Sequence, residues 1–251
     1  MSDTQDLGPL LNDWPFNPER NVRIVRAVDG RDVLQVRLPL GIEQYALEGR
    51  PDGQRPHDNE TALAYFLSRL DKARSAGDED SFRINSNECA ELFDEGVLFY
   101  CRYLHLFQLK DWTRVARDTT RNLKLFDFVH QYALRKEDRN HLEQWRPYVI
   151  RINAIARAML EADRQSHDIA LQIIRDAHDQ ICALTEIDNE TFRIERERAL
   201  HALHEVVEQI ENSRPLSNLE RLEKDLRTAI EEQEFERAAV LRDKIRALRT
   251  G

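Results

Sequence analysis

Glycine and proline are distributed very unevenly along this chain of 251 residues. Seven of the eight glycines and six of the eight prolines lie before residue 97. Both residue types interrupt helices and favour turns, so the first part of the chain is predicted to contain strands and turns and the rest to be helical. The predicted fold class is mostly α, with a small N-terminal β-meander followed by an array of antiparallel helical hairpins.

The N-terminal region, residues 1–57, is predicted to combine an arm with a small sheet. Trp14 and Phe16 lie among turn-forming residues, which indicates an extended arm whose aromatic side chains enter the core. Over residues 21–48, the pattern of apolar and polar residues then predicts three strands. Such a small sheet is marginally stable alone, so it is expected to lean on the helices.

The first two strands of this sheet have a predicted register. A three-residue loop at 28–30 places Gly30 in the left-handed position that glycine tolerates. This loop aligns Val22 with Val36 and Ile24 with Leu34 on one face. A two-residue turn would scatter these apolar residues over both faces, so the longer loop is preferred.

A helical domain is predicted over residues 58–212, where apolar residues recur every three or four positions. Two helix starts in this domain, at Trp112 and His167, have a ring followed three and four residues later by small or apolar residues, and a third such start lies in the terminal segment at Phe235. This arrangement resembles tetratricopeptide-type hairpins, although the intervals do not match their 34-residue period. Helices are expected over residues 59–76, 88–109, 112–134, 147–162, 168–184 and 190–210.

The last segment, residues 216–251, contains two helical periods that meet at a short polar joint. Leu222, Leu226 and Ile230 belong to the first period, and Phe235 opens the second. The pattern predicts an antiparallel helical hairpin. Pro215 is expected to separate the hairpin from the helix that precedes it. Ser217 with Glu220 is expected to form a capping box at the start of the first helix of the hairpin.

The second half of this hairpin reads Phe-Glu-x-Ala-Ala-x-Leu-Arg-Asp-x-Ile-x-x-Leu from Phe235 to Leu248. It resembles the UVR motif, a short hairpin shared by the UvrB and UvrC excision-repair proteins and by some proteins of the bacterial Clp protease system, such as McsA and ClpC. Gln233 departs from the pattern, because that position is usually apolar in the family. In those families the hairpin pairs with a second UVR hairpin or with another protein.

The resemblance implies that the hairpin binds a protein partner, either another UVR-motif protein or a second copy of the chain. A hairpin this short rarely folds alone, which also favours a partner or a docking surface. Residues 219–251 contain eight acidic and eight basic residues, and the whole chain has a formal net charge of −9, so nucleic acid is not expected as a direct ligand. The predicted partner-binding residues are Leu222, Leu226, Phe235, Ala238, Ala239, Leu241, Arg242, Ile245 and Leu248.

A second candidate surface is a row of basic residues spaced by four, three, four and three positions along one predicted helix. Such rows are usually solvated faces, but this one could also bind an acidic peptide or a phosphate. The predicted anion-binding residues are Lys110, Arg114, Arg117, Arg121 and Lys124.

Catalysis, cofactors and metal ions are not predicted. No glycine lies between Gly96 and Gly251, which excludes a glycine-rich phosphate loop from the helical region. His201 and His204 share a helix face with Glu205 and Glu208, but one helix supplies no complete metal site, and a solvated polar face is the preferred interpretation. An enzyme built around Arg37, Glu43 and Tyr45 is a further alternative that lacks a recognisable catalytic geometry.

The function predicted from these features is that of a non-catalytic cytoplasmic adaptor that binds proteins through its terminal hairpin and helical array. No apolar run approaches the length of a membrane span, and the three cysteines form no closely spaced pair. Two alternatives follow from the resemblance: an accessory factor in nucleotide excision DNA repair, and a quality-control adaptor of a Clp/McsA-like system. The McsA type has metal-binding cysteine pairs that this chain lacks.

Overall fold

The structure is a computed structural model that describes residues 6–213 and 218–250, apart from the side chains at positions 213, 218, 220, 249 and 250. The chain divides into two compact units, Met1–Val207 and Glu208–Gly251. The fold is mostly helical, with a small antiparallel sheet near the N-terminus. The sequence placed the boundary of the terminal segment slightly later, near Pro215. Pro215 and Ser217 lie outside the described residues, as does the side chain of Glu220, so the predicted capping box does too.

The sheet consists of strands β1 (Val22–Arg26), β2 (Asp32–Leu38) and β3 (Gly41–Ala46) in sequential antiparallel order. Val22 pairs with Val36 and Ile24 with Leu34, as predicted. Gly30 has a φ of +83°, so the three-residue loop depends on the one residue type that adopts this conformation without strain. On the predicted apolar face the side chains of β2 are fully buried, whereas Ile24 on the edge strand is exposed.

The predicted extended arm is wrong in part, because a short helix, α1 (Gly8–Asp13), forms within it. None of the residues of α1 is buried, and the expectation that the aromatic side chains of the arm enter the core is wrong for Phe16, which is exposed, while Trp14 is half-buried. The arm is attached by Trp14 instead. The backbone carbonyl of Trp14 accepts a hydrogen bond from Arg37 Nε at 2.7 Å, and the guanidinium of Arg23 lies 3.8 Å from the centre of its ring.

The helices of the N-terminal unit follow the predicted segments closely, with shifts of one to three residues at most ends. Helices α3 and α4 pack against each other, α4 packs on α6, and α6 packs on α7, so neighbouring helices form a layered array. The short α5 occupies the segment where one turn of helix was expected. The bounds are α2 (Ala62–Ala76), α3 (Ser86–Gln108), α4 (Trp112–Tyr132), α5 (Lys136–His141), α6 (Arg146–Asp163), α7 (His167–Cys182) and α8 (Glu190–Ser213).

The sheet and the helices share a hydrophobic core, so the predicted regions 1–57 and 58–212 are not independent. Leu34 of β2 and Leu47, just after β3, pack with Tyr103 of α3, Val115 of α4 and Ile152 of α6. This common core explains how a three-stranded sheet persists, since a sheet of that size needs a packed face.

Buried ionic groups fasten the sheet to the helices. Arg102 donates two hydrogen bonds to Asp118, at 2.7 and 2.8 Å, and two more to the carbonyls of Ala46 and Gly49. Both charged side chains are about 1% exposed. Because each of the three guanidinium nitrogens of this arginine has an acceptor, the pair links α3, α4 and the end of β3 without leaving a lone buried charge.

A second buried carboxylate, Glu95 of α3, lies at the start of α2. It accepts hydrogen bonds from the backbone amides of Ala62 at 2.6 Å and Leu63 at 3.0 Å, and it is paired with Arg121 of α4. Amides at a helix N-terminus have no partner within the helix, and the helix dipole favours a negative charge there. Glu95 therefore fixes α2 against the α3–α4 hairpin.

Three helix-to-helix joints close in the same way. Lys110, Gln165 and Gln233 have φ angles of 58°, 64° and 60°, and each follows a helix that ends in a pair of reverse backbone hydrogen bonds. At the last of these joints, Glu234 N donates to Ala229 O at 2.8 Å and Gln233 N to Ile230 O at 3.1 Å. This is the Schellman motif, in which the left-handed residue is usually glycine. The helices that follow these three joints begin at Trp112, His167 and Phe235, where the sequence showed a ring followed by small or apolar residues.

Candidate functional site: the C-terminal hairpin

The C-terminal unit contains helices α9 (Asn218–Glu231) and α10 (Phe235–Thr250), which pack against each other as predicted. The Schellman turn at Gln233 ends α9, and the backbone amide of Ala238 then bonds to the carbonyl of Glu234 to begin α10. The joint therefore needs only three residues between the two helices. Such a short loop forces neighbouring helices to run antiparallel.

The interior of the hairpin is built around small residues. Ala229 of α9 and Ala238 of α10 are buried with Leu241, and Leu222 and Leu226 pack against this group half-buried. Ile245 is also buried. Alanine at the joint lets two helix backbones approach closely, since there is little side chain between them.

Part of the predicted partner-binding set lies in this interior, and contact of these residues with a partner stays a prediction. Ala238 was expected to face a partner helix, but it faces α9 of its own hairpin, because the short joint brings α9 and α10 together there. Leu241 and Ile245 are buried as well. Ala239 is half-buried, whereas Arg242 is exposed and lies 3.1 Å from Asp243.

An apolar set remains exposed on the hairpin. Phe235 is 70% exposed at the first position of α10, and Leu248 is half exposed near its end. Ile230 and Val240 are similarly exposed, and neither was among the predicted contact residues. The sequence did hold a signal for Ile230, because it lies on the apolar period of α9. Val240 lies off the main period of α10, so only the structure identifies it.

The charged residues of the hairpin form local pairs. Arg237 Nη1 lies 2.8 Å from Glu234, one turn earlier, and both side chains are about half exposed. Hydrogen bonding and the charge of Glu234 raise the pKa of Arg237. Exposed pairs of this kind contribute little stability. With equal numbers of acids and bases, they leave this surface without a strong field of either sign.

The predicted basic row does not form one continuous exposed surface. Arg114 bonds to Asp111 and Glu48, and Arg117 bonds to Glu48, to Asp118 and to the carbonyl of Leu47. The periodicity of α4 could not reveal this, because Glu48 lies 66 residues before Arg114. These two arginines thus hold the loop after β3 against α4.

The other three members of the row differ in exposure. Arg121 points inward to Glu95 and over the ring of Phe99, 4.1 Å from its centre. Lys110 and Lys124 are exposed. Binding of an acidic ligand by this row stays a prediction, and its exposed part is smaller than the spacing indicated.

The residues suggested for an enzyme have structural contacts. Arg37 is buried and donates to backbone carbonyls, including that of Gly41 at 3.2 Å. The hydroxyl of Tyr45 donates to Glu43, and burial together with this carboxylate raises the pKa of the tyrosine. His201 lies 3.7 Å from Glu205. Within residues 6–213 and 218–250, no group of three or more histidine, cysteine, aspartate or glutamate side chains is arranged to hold a metal ion.

Comparison with known proteins identifies the terminal hairpin. Residues 217–251 match the family model of the UvrB/uvrC motif, UVR. No match was found among the curated proteins or among the solved structures. The C-terminal hairpin is therefore a UVR motif, and the match does not extend into the N-terminal unit. Separately, no helix in the described part of the chain is long and apolar enough to cross a membrane.

Proposed function

We propose that this chain, whose C-terminal hairpin is a UVR motif, is a non-catalytic adaptor that binds a second hairpin of the same kind through that motif. The partner hairpin belongs to another UVR protein or to a second copy of the chain. The observation that carries the proposal is the exposed apolar set of the hairpin: Ile230, Phe235, Val240 and Leu248. The UVR motif is known in DNA-repair and protein-interaction contexts, and both involve association.

The interior of the hairpin does not cover the Phe235 side chain. Its own core uses small residues together with Leu222, Leu226 and Leu241, so the fold of the hairpin leaves most of the Phe235 side chain uncovered. Full burial of an exposed phenylalanine side chain contributes roughly 1.5–3 kcal/mol. A partner that covered this ring would therefore gain an anchor of the kind that dominates interfaces, and each of the other three side chains that it covered would add to the binding energy.

Electrostatics favour a protein partner over nucleic acid. Affinity for DNA comes largely from lysine and arginine side chains that neutralise phosphates. The hairpin has as many acids as bases, and Arg114 and Arg117 of the N-terminal unit are already paired with carboxylates. If the protein acts in excision repair, we expect it to do so through a protein contact. The same holds for a role in proteolytic quality control, and in both cases we expect the cytoplasm as its location.

Affinity capture and sedimentation test the proposal with the full chain. The bait would be the wild type and the double variant Ile230→Asp/Val240→Asp, used in cytoplasm from the native host. Sedimentation velocity of each purified protein would measure self-association. We expect the wild type either to self-associate or to retain a protein that carries a UVR motif, and the double variant to do neither.

A control uses two apolar residues of the N-terminal unit that are more exposed than Ile230 and Val240. Val28 and Leu40 lie in turns of the sheet and are fully or almost fully exposed, so Val28→Asp/Leu40→Asp adds the same charge elsewhere. This control should behave as the wild type. Identical behaviour of all three proteins, with or without captured material, would contradict a role for the hairpin surface.

A further inference from the structure

The N-terminal unit contains a cavity of about 520 Å³ that the proposed function does not use. It lies among residues of α3, α4 and α6, the segment around α5 and the first half of α8. Its volume falls within the range of roughly 300–1,000 Å³ typical of small-molecule sites. It is large enough to hold a molecule with one or two fused rings.

Aromatic rings form nearly half of the lining of this cavity. Phe93 stacks on His141 with ring centres 4.3 Å apart, and Tyr100 meets Tyr148 edge to face at 6.0 Å. Trp145 also lines the cavity and is partly exposed. Flat rings that present both faces and edges bind planar apolar groups well, because offset-stacked and edge-to-face contacts are both available.

The charge at the cavity is positive. Arg151 of α6 lies over the ring of Tyr148, 5.0 Å from its centre, and makes no ion pair with any residue that the structure describes. On α8, Glu195 is buried but already paired with Arg198 at 3.0 Å. Two arginines against one paired glutamate leave one positive charge without a partner, and it belongs to Arg151.

The tyrosines of the cavity do not oppose a negative ligand. Burial raises the pKa of Tyr148 to about 12 and that of Tyr103 well above its usual value, so both phenols are neutral at physiological pH. At the base, Asn122 is buried and fixed, because its amide donates to Gly96 O at 3.0 Å and its carbonyl accepts from Arg121. Asn122 therefore adds a fixed, neutral amide to the lining of the cavity.

We propose that this cavity binds a planar aromatic carboxylate, with the ring among the aromatic walls and the carboxylate on Arg151. The ligand would be either a free aromatic acid or the carboxyl-terminal aromatic residue of a peptide. The two share the chemistry that the cavity recognises. A guanidinium that is free of other ion pairs can bind a carboxylate through two parallel hydrogen bonds, which gives both affinity and orientation. The inference does not depend on the UVR hairpin.

Isothermal titration of the full chain with a matched probe series tests the charge preference. The probes are 1-naphthaleneacetate, its neutral amide, and 1-naphthalenemethylamine as the cation. We expect the acid to bind about tenfold or more tightly than the amide, the order of one charge-assisted hydrogen bond, and the amine to bind more weakly than the amide. Comparison of the acid with N-acetyl-glycyl-tryptophan then distinguishes a free acid from a peptide terminus.

Two variants locate the binding. Arg151→Gln should remove the preference for the acid while leaving the amide affinity unchanged, and Val97→Trp, from an exposed cavity residue, should block all probes. Arg157→Gln, an exposed arginine on the same helix outside this cavity, is the control and should behave as the wild type. A circular dichroism melt confirms that each variant is folded.

Three results of the probe titration with the wild type would overturn the proposal. They are equal affinity for acid and amide, tightest binding of the amine, and no saturable binding by any of the probes, the dipeptide included. An acid preference that survives Arg151→Gln would place the ligand elsewhere and would also overturn it. Because hairpin variants such as Ile230→Asp/Val240→Asp leave this cavity intact, failure here and failure of the adaptor role are measured separately.

Discussion

Phe235 and Ala238 lie one helical turn apart on α10, yet Phe235 is 70% exposed and Ala238 only 8%. The alanine packs against Ala229 and Leu241 inside the hairpin, whereas the ring points away from that interior. Residues three positions apart usually share a helix face. Here the two differ in burial, because Ala238 belongs to the packed group of the hairpin, whereas Phe235, the first residue of α10, does not. The UVR motif thus places its largest side chain where its own fold does not cover it.

The left-handed joint at Gln233 predicts a stabilising substitution. A non-glycine residue at this φ costs roughly 1 kcal/mol relative to glycine, so Gln233→Gly should raise the stability of the hairpin by about that amount. Amide hydrogen exchange of residues in α9 and α10 would measure it. The neighbouring change Glu232→Gly, where φ is not positive, is the control and should destabilise the hairpin. Equal effects of the two substitutions would contradict the assigned turn.

The buried pair Arg102–Asp118 predicts a strongly non-additive response. Arg102→Leu leaves the carboxylate of Asp118 buried with only Arg117 nearby, and should lower the free energy of unfolding by about 3–5 kcal/mol. The double variant Arg102→Leu/Asp118→Leu removes both charges and should recover part of this loss. Urea denaturation measures each value. A double variant that loses the sum of the two single losses would show that the pair is not coupled.

His105 predicts a pH dependence of stability. Burial lowers its pKa below the usual value near 6.5, although the charge of Glu43 acts in the opposite direction. Below pH of about 6.5 the unfolded chain therefore binds a proton that the folded chain does not, and the free energy of unfolding falls as the pH drops towards the folded pKa. Above pH of about 6.5, His105 adds no pH dependence to the free energy of unfolding.

Urea denaturation at pH 7.5 and at pH 5 tests this. The loss of stability between the two pH values should be smaller for His105→Gln than for the wild type. His178→Gln, which changes a half-exposed histidine of α7, is the control and should keep the wild-type loss. If His105→Gln also keeps it, burial of His105 is not the cause.

Local rules predicted much of the fold. The register of β1 and β2 followed from one glycine and the alternation of four apolar residues, and most helix ends fell within three residues of the periodic pattern. The UVR hairpin was found from its own residues. The exception was α1, whose six residues have no apolar periodicity because none of them is buried.

Contacts between residues that are far apart in the sequence could not be predicted from local patterns. A charged residue such as Glu95 is normally expected at the surface, and nothing near it in sequence shows that it lies at the start of α2. Four of the five residues of the basic row lie on α4, but Glu48 comes from a distant loop and pairs with Arg114 and Arg117. The aromatic cavity likewise combines residues from several helices whose contacts no periodicity reveals.

The most direct test of the adaptor role is the dissociation constant of the complex formed by the purified full chain, with itself or with its captured UVR partner, in wild type and Phe235→Asp. If Phe235 anchors the interface, the variant should bind at least about thirtyfold more weakly, which corresponds to ~2 kcal/mol. Its circular dichroism melt should match that of the wild type, because the ring lies outside the hairpin core. An unchanged dissociation constant together with a lowered melt would contradict the adaptor account.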